Sequence, residues 1–523
     1  MQASSPLTPA TASPRRWAAL AVLTLAIALL AIDGTVLLLA VPSLAADLGA
    51  TASQVLWIGD IYSLAIAGLL VTMGALADRL GRKRVLLVGA AAFGAASVLA
   101  AFAPSAEVLM LARLLLGIAG ASLMPSTLAI IRTLFEDPRE RTRAIAIWAA
   151  AAGGGAAIGP LVGGVLLEHF WWGAVFLINV PVMIVLVVAG AVMLPESRDP
   201  RPGPFDPLAA ALSILTLVPL VYAVKHLVVD GPGVSVAVAA VMGAAAGAWF
   251  VARQRRSASP LIDVALFARA DFSGAVASNF IAVFALTGLL FFLSQYLQLV
   301  RGLGPLHAGL AELPAALASM AAIAVVGWLV ARAGRGRAIA IALAATSGGL
   351  LAVAFAEGAS SLVWLLVALV PIGLGVGLAQ TLTTDAVVSA VPARKAGAAS
   401  AISEVSYELG VGLGIAVLGS LMTALYRAGV TVPSGTSGAE SDALRDSLAS
   451  ASATGAPDVI DAAREAFVAA MQATSVVAAI LTAIGAVVAW RTIRPAPTDD
   501  ATEADQPEDS EPSASIDARM SAS

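Results

Sequence analysis

The 523-residue sequence has no cysteine, three histidines and only 12% charged residues. Without cysteine there is no disulfide scaffold, no thiolate metal site and no thiol nucleophile. The histidines, His169, His226 and His307, stand alone at helix ends and form no metal cluster. No Gly-Lys-Ser/Thr phosphate loop occurs, so ATP is not the energy source. Scarcity of charge also excludes a soluble globule, whose surface needs about twice that share, and a disordered chain. What is abundant is apolar: 59% of residues are hydrophobic and the mean hydropathy is +0.90. The net charge of −4 gives no reason to expect a nucleic-acid partner. The chain reads as an all-α polytopic membrane protein.

Apolar runs of about 20 residues, each able to cross the hydrocarbon layer as a helix, recur along the chain. Fourteen spans are expected near 17–41, 54–75, 85–103, 106–130, 144–167, 174–194, 208–228, 233–252, 273–298, 309–330, 338–356, 361–386, 398–425 and 467–490. The first is too long for a cleaved signal and contains Asp33.

Orientation follows from the cations. With the N-terminus inside, the inner segments hold Arg15, Arg16, Arg79, Arg82, Lys83, Arg84, Arg132, Arg139, Arg141, Arg143, Arg198 and Arg201 in the first half. Arg253, Arg255, Arg256, Arg269, Arg332, Arg335, Arg337, Arg394, Lys395, Arg491 and Arg494 continue the series. The outer segments hold only Lys225, Arg301, Arg427, Arg445 and Arg464. The alternation requires an even number of spans and two cytoplasmic termini. Residues 427–466 read as a polar outer loop, with a helical stretch from Asp458 to Ala466, and 491–523 as a disordered acidic cytoplasmic tail.

An internal repeat organises the spans. The loop after span 2 reads Gly74-Ala-Leu-Ala-Asp78-Arg79-Leu-Gly81-Arg82-Lys83-Arg84. The loop after span 10 reads Gly327-Trp-Leu-Val-Ala331-Arg332-Ala-Gly334-Arg335-Gly-Arg337, at a constant offset of 253 residues. Spans 1–6 (17–194) then correspond to spans 9–14 (273–490), with an inserted pair in 195–272 and a short cytoplasmic N-terminus, 1–16. Two related halves with a site between them are the architecture of alternating-access transporters.

The first of these loops resembles the cytoplasmic motif of the major facilitator superfamily. Leu111-Ala-Arg113-Leu-Leu-Leu-Gly117 resembles its proton-coupling arginine motif, and Gly155-Ala-Ala-Ile-Gly159-Pro160-Leu-Val-Gly163-Gly164 its antiporter motif. Ile32-Asp33-Gly-Thr35 through Pro42, and Phe176-Leu-Ile-Asn179-Val-Pro181, are similar to signatures of the fourteen-helix drug:proton antiporters. Trp57-Ile-Gly-Asp60-Ile-Tyr62 and Glu404-Val-Ser-Tyr407-Glu408-Leu-Gly410 are similar to the Qac-type exporters in particular. The resemblance implies the major facilitator fold of two six-helix halves plus two inserted helices. It also implies proton-driven export of lipophilic organic cations, such as quaternary ammonium compounds and dyes, from a bacterial cytoplasmic membrane.

The residues carry a physical reading of their own. An ionisable group in the bilayer core needs a reason to be there. Four acids and one arginine lie well inside spans: Asp33, Asp60, Arg113, Glu404 and Glu408. At 1.5 Å per residue, Asp33, Asp60 and Arg113 share a depth roughly 10 Å from the outer surface. A buried arginine keeps its proton and needs an acidic partner or water. The resemblance makes Asp33 and Arg113 the proton-coupling pair; a static ion pair joining spans 1 and 4 is the simpler alternative. Asp60, between Trp57 and Tyr62, suits a soft organic cation. Glu404 and Glu408 share one face of span 13 and repel when both are ionised, so they are candidates for exchanging a proton against a cationic substrate. Tyr407, and Trp148 in span 5, are expected to line the same cavity or simply to pack.

Gly155, Gly159 and Gly163 give span 5 a smooth face, and Pro160 kinks it. Gly74, Asp78, Arg79, Gly81 and Arg82 are expected to form a cytoplasmic gate against a neighbouring helix end. Ala331 replaces the acid in the second copy, so the two copies should not be equivalent. Leu38 replaces the family's usual Asn, Gly173-Ala174 its Arg-Trp, and Ser319 and Ser403 stand where some relatives carry acids. Fewer acids favour monovalent cations. No cofactor is expected beyond the proton gradient, no metal, and a monomer in the lipid bilayer. A host-made antibiotic or lipid-like metabolite is the alternative substrate, and a non-transporting sensor the alternative role.

Overall fold

The computed structural model describes residues 14–198, 206–229, 231–257, 260–391 and 396–493. The expected acidic tail from residue 494 on, residues 1–13, and Arg201, Arg394, Lys395 and Arg494 lie outside the described residues. Fourteen helices are long and apolar enough to cross a membrane. They are α1 (Arg15–Leu48), α2 (Ala52–Leu80), α3 (Arg82–Ala101), α4 (Ala106–Leu134), α5 (Pro138–His169), α6 (Ala174–Met193), α7 (Pro207–Val228) and α8 (Val234–Arg256). They continue with α9 (Ala270–Val300), α10 (Pro305–Ala333), α11 (Arg335–Ala356), α12 (Leu362–Ser389) and α13 (Ala398–Gly429). Two short helices, α14 (Gly438–Asp446) and α15 (Leu448–Ala453), precede the last span, α16 (Pro457–Thr492).

Polar residues stop and start these helices where the backbone would otherwise be unsatisfied. Thr51 closes a capping box with Gln54 at the start of α2. Asp137 accepts from the backbone of Arg139 and Glu140 ahead of Pro138, the first residue of α5. The repeat is visible in backbone geometry as well. Gly81, between α2 and α3, has φ +115°, and Gly334, between α10 and α11, has φ +75°. Both corners need a residue without Cβ.

Packing follows the same duplication. α1 lies on α5 as α9 lies on α13, and α2 on α4 as α10 on α12. The halves meet through α2 with α13 and α5 with α10, which are equivalent pairs under the repeat. These meetings concentrate at the end with few cations. There Gln298 Nε2 donates to the Leu39 carbonyl (3.0 Å), a Cβ on Gly59 would come within 2.8 Å of the Phe291 ring, and one on Gly164 within 2.9 Å of Leu306 Cα. At the cation-rich end the close glycine contacts, Gly81 with Glu196, Gly274 with Thr492 and Gly336 with Ile493, each stay within one half. The chain is therefore closed at the cation-poor end and parted at the cation-rich end.

Two details differ from the sequence reading. The stretch Asp458 to Ala466, expected to be helical within the outer loop, is continuous with the last span, giving α16 its 36 residues. The polar loop before it is folded onto the bundle: Leu444, Leu448 and Ala451 are buried, Tyr426 Oη donates to the Leu444 carbonyl (2.8 Å), and Asp446 accepts from the Ala52 backbone (3.4 Å). Its few apolar residues recur on one side of α14 and α15, which a mean over the loop conceals.

Candidate functional site

The ionisable residues of α1, α2, α4 and α13 converge in the interior. Arg113 Nη1 lies 3.3 Å from Asp33 Oδ2, with both side chains buried. Arg113 Nε donates to the Ile58 carbonyl (3.2 Å), and the guanidinium sits 4.3 Å from the centroid of the Tyr62 ring. The other carboxylate oxygen of Asp33 accepts from Asn179 Nδ2 (2.6 Å), which also donates to Ser97 (3.2 Å). Four helices of one half, α1, α3, α4 and α6, thus share one hydrogen-bonded group. Asn179 belongs to the Phe176–Pro181 motif, whose spacing gives no sign that it reaches Asp33.

Glu408 approaches the same group from the other half. It lies against Ser63 of α2 and within electrostatic reach of Arg113 and Glu404. Tyr62 feels Asp33, Arg113, Glu408 and Tyr407 together. Glu408, expected to act with Glu404 in exchanging a proton against substrate, thus also lies within reach of the Asp33–Arg113 pair. Asp33, Arg113, Tyr62 and Glu408 form one network, while Glu404, one turn along α13, lies apart from Arg113 and is half-buried.

Asp60 needs a correction. Lys225, counted in an outer segment, lies inside α7 with 3% of its side chain exposed, and its Nζ is 2.6 Å from Asp60 Oδ2. The same ammonium sits 3.7 Å from the Trp57 ring centroid. The acid and aromatic expected to await an organic cation are already occupied by a lysine. The long aliphatic stem near the end of an apolar run reads in sequence as a residue that extends to the interface; here it turns inward.

Trp148 donates from Nε1 to Thr127 of α4 (3.2 Å), so it braces α4 against α5. The glycine face of α5 is occupied by α1: a Cβ on Gly163 would come within 2.7 Å of Val36, and one on Gly155 within 3.0 Å of Ala28. Gly159 faces Thr35, two residues beyond Asp33. The smooth face thus seats the helix that carries the acid, and Pro160 and Gly164 carry the contact with α10 of the other half.

The loop motif docks within its own half in this conformation. Arg82 pairs with Asp78 (2.8 Å) and reaches Thr133 of α4 (3.4 Å). Lys83 Nζ donates to the Ala191 carbonyl of α6 (2.7 Å), and a Cβ on Gly81 would lie 2.5 Å from Glu196. The second copy is indeed different. Lacking an acid at Ala331, Arg335 pairs instead with Asp385 (2.9 Å) and Ser389 (2.7 Å) of α12. Among the described residues no cluster of histidines or acids is arranged to hold a metal.

Comparison with known proteins agrees with this architecture. Residues 23–415 match the Major Facilitator Superfamily. The chain is 47% identical over 481 residues to the multidrug efflux pump LfrA of Mycolicibacterium smegmatis, covering 91% of this chain and 95% of that one. It is 38% identical over 465 residues to the methyl viologen resistance protein SmvA of Salmonella typhimurium, covering 87% and 93%. It is 33% identical over 413 residues to a tetracenomycin C resistance and export protein of Streptomyces glaucescens, covering 78% and 76%. Among solved structures, a bacterial homologue of the human lysosomal transporter Spinster superposes with a TM-score of 0.63 at 20% identity, covering 93% of this chain and all of that one. The chain belongs to the Major Facilitator Superfamily, as a secondary transporter that passes through the membrane fourteen times.

Proposed function

We propose that the protein exports lipophilic organic cations from the cytoplasm in exchange for protons, by alternating access between its two halves. The observation that carries this reading is the buried Asp33–Arg113 pair, with Glu408 of the opposite half facing the same arginine. An ionised carboxylate at this depth is tolerable beside the guanidinium. When Asp33 takes a proton, its hold on Arg113 weakens, and the guanidinium is drawn toward Glu408. A proton on one half thereby changes the attraction between halves. Deprotonation restores the first arrangement.

The substrate class draws support from the names of the relatives, a multidrug efflux pump and a methyl viologen resistance protein. The parted, cation-rich end is placed at the cytoplasm by the positive-inside rule, with both termini on that side. Glu404, half-buried beside Tyr407, is the acid we assign to the cationic substrate, in place of the lysine-bound Asp60. No cofactor takes part, and a single chain in the cytoplasmic membrane suffices.

Proteoliposomes test the reading. An imposed proton gradient should drive ethidium movement, and Asp33→Asn should abolish it while leaving the protein folded. Undiminished gradient-driven transport by Asp33→Asn would end the proposal for Asp33. Movement of tetracenomycin C but of no organic cation would instead transfer the function to an antibiotic substrate.

A further inference from the structure

Two further buried acids, Glu312 and Glu357, stand outside the four named from the sequence. Glu312 lies two turns into α10, is 3% exposed, and neither of its carboxyl oxygens has a hydrogen-bond partner among the described residues. α10 packs against α1, α5, α11, α12 and the turn at the end of α9. The ionisable groups of those elements are engaged or distant. Asp33 is held by Arg113 and Asn179, and Asp47 accepts from Trp172. Glu168 and His169 end α5, while Arg139, Glu140, Arg141 and Arg143 begin it. Arg335 and Arg337 begin α11, Asp385 lies near the far end of α12, and the Tyr296 hydroxyl donates to the Glu357 carbonyl. On α10 itself, His307 and Arg332 lie near opposite ends. No charged side chain acts on Glu312.

An isolated ionised carboxylate in such surroundings is costly. The position of Glu312 links that cost to one event. Gly309, three residues earlier and on the adjoining helical face, sits on the Pro160 backbone of α5, and Leu306 lies against Gly164. The α5–α10 contact that closes the cation-poor end thus lies within one turn of Glu312 along α10.

We propose that Glu312 is a second proton-binding site of the transporter, loaded from the outer solution as α5 and α10 close and unloaded to the same solution as they part. Such a proton is not carried across the membrane. It biases the carrier toward the closed outer side, so that acid outside favours the return to the cytoplasm-facing state. The inference relies on the halves parting at this end; it requires neither Asp33 as the coupling group nor any particular drug.

The absence of cysteine makes the test direct. Ala46→Cys and Ser360→Cys, at exposed positions on the two halves, accept spin labels in the full-length protein in nanodiscs, without drug or gradient. The closed-to-open ratio should fall as pH rises, by up to about tenfold per pH unit for one titrating proton. Glu312→Gln and Glu312→Met, neutral at every pH, should fold, stay closed and lose that response, and Glu312→Asp should restore it. The response should survive in Asp33→Asn, which separates this site from the coupling pair. A pH response in Glu312→Gln equal to the parent's would overturn the proposal. So would Gln and Met variants that fail to fold while Asp does, because a neutral side chain must then be unable to replace the group.

Discussion

Lys225 of α7 and Asp60 of α2 meet at 2.6 Å with both side chains almost wholly buried, and the ammonium lies against the face of Trp57. The inserted pair of spans is thereby fastened to the first half by a charge. Removing one member leaves the other uncompensated, at a cost of about 3–5 kcal/mol, whereas removing both is close to neutral. Lys225→Met should therefore lower thermal stability sharply, and Lys225→Met combined with Asp60→Asn should recover most of it. The melting curve of the purified protein, read by intrinsic fluorescence, checks the pattern.

Asn179 contributes one strong hydrogen bond to Asp33 and a second to Ser97. Asn179→Leu leaves a carboxylate oxygen unsatisfied, worth about 1–3 kcal/mol. Gradient-driven ethidium transport should fall by roughly tenfold or more, with its pH profile displaced, while Asn179→Asp should not rescue it because two carboxylates would then face each other.

The seat of α5 on α1 distinguishes two neighbouring glycines. Gly155→Val should force the helices apart, a strain of about 1–3 kcal/mol, and cut the folded yield. Gly153→Val, with nothing within 4 Å, should express as the parent does. Size-exclusion profiles of the two variants provide the comparison.

The repeated corner glycines give a second graded pair. An alanine at either must adopt a positive-φ, extended conformation essentially confined to glycine, at about 1–3 kcal/mol. At Gly81 it also collides with Glu196, but at Gly334 there is open space. Gly81→Ala should therefore be the more damaging by thermal unfolding, and Gly81→Ala with Glu196→Ala should approach Gly334→Ala.

Glu357, just past the end of α11, offers a pH test outside the spans. Burial pushes its carboxyl up to about 8, partly opposed by the hydrogen bond from Ser475 (3.1 Å). A raised carboxyl binds its proton more tightly folded than unfolded, so stability is greatest below the ordinary glutamate range and declines as pH rises toward 8. Melting temperatures taken across this window should fall, and Glu357→Gln should flatten that part of the decline.

The spans, the repeat and the meeting of Asp33 with Arg113 were legible because each leaves a one-dimensional trace: an apolar run, a fixed offset, a charge where none belongs. Partners supplied by distant segments leave no such trace. Asn179 and Lys225 are separated from their acids by well over a hundred positions, and polar atoms look alike in sequence whether they face water or a carboxylate. Glu312 was hidden differently. It lies so near the start of its span that depth alone gave no reason to single it out, and only the packing of other helices around α10 takes it out of water. The docking of the Asp78–Arg84 loop depends on which end of the molecule is parted, a property of conformation rather than of composition.

The two seams between the halves are not alike. α7 lies across α2 and α13 together, so that seam is roofed over. The seam between α5 and α10 has no such cover among the described residues. From the bilayer, the α2–α13 seam therefore lies behind α7, while the α5–α10 seam has no inserted helix in front of it among the described residues. The inserted hairpin makes a nearly symmetrical machine one-sided toward the lipid that surrounds it.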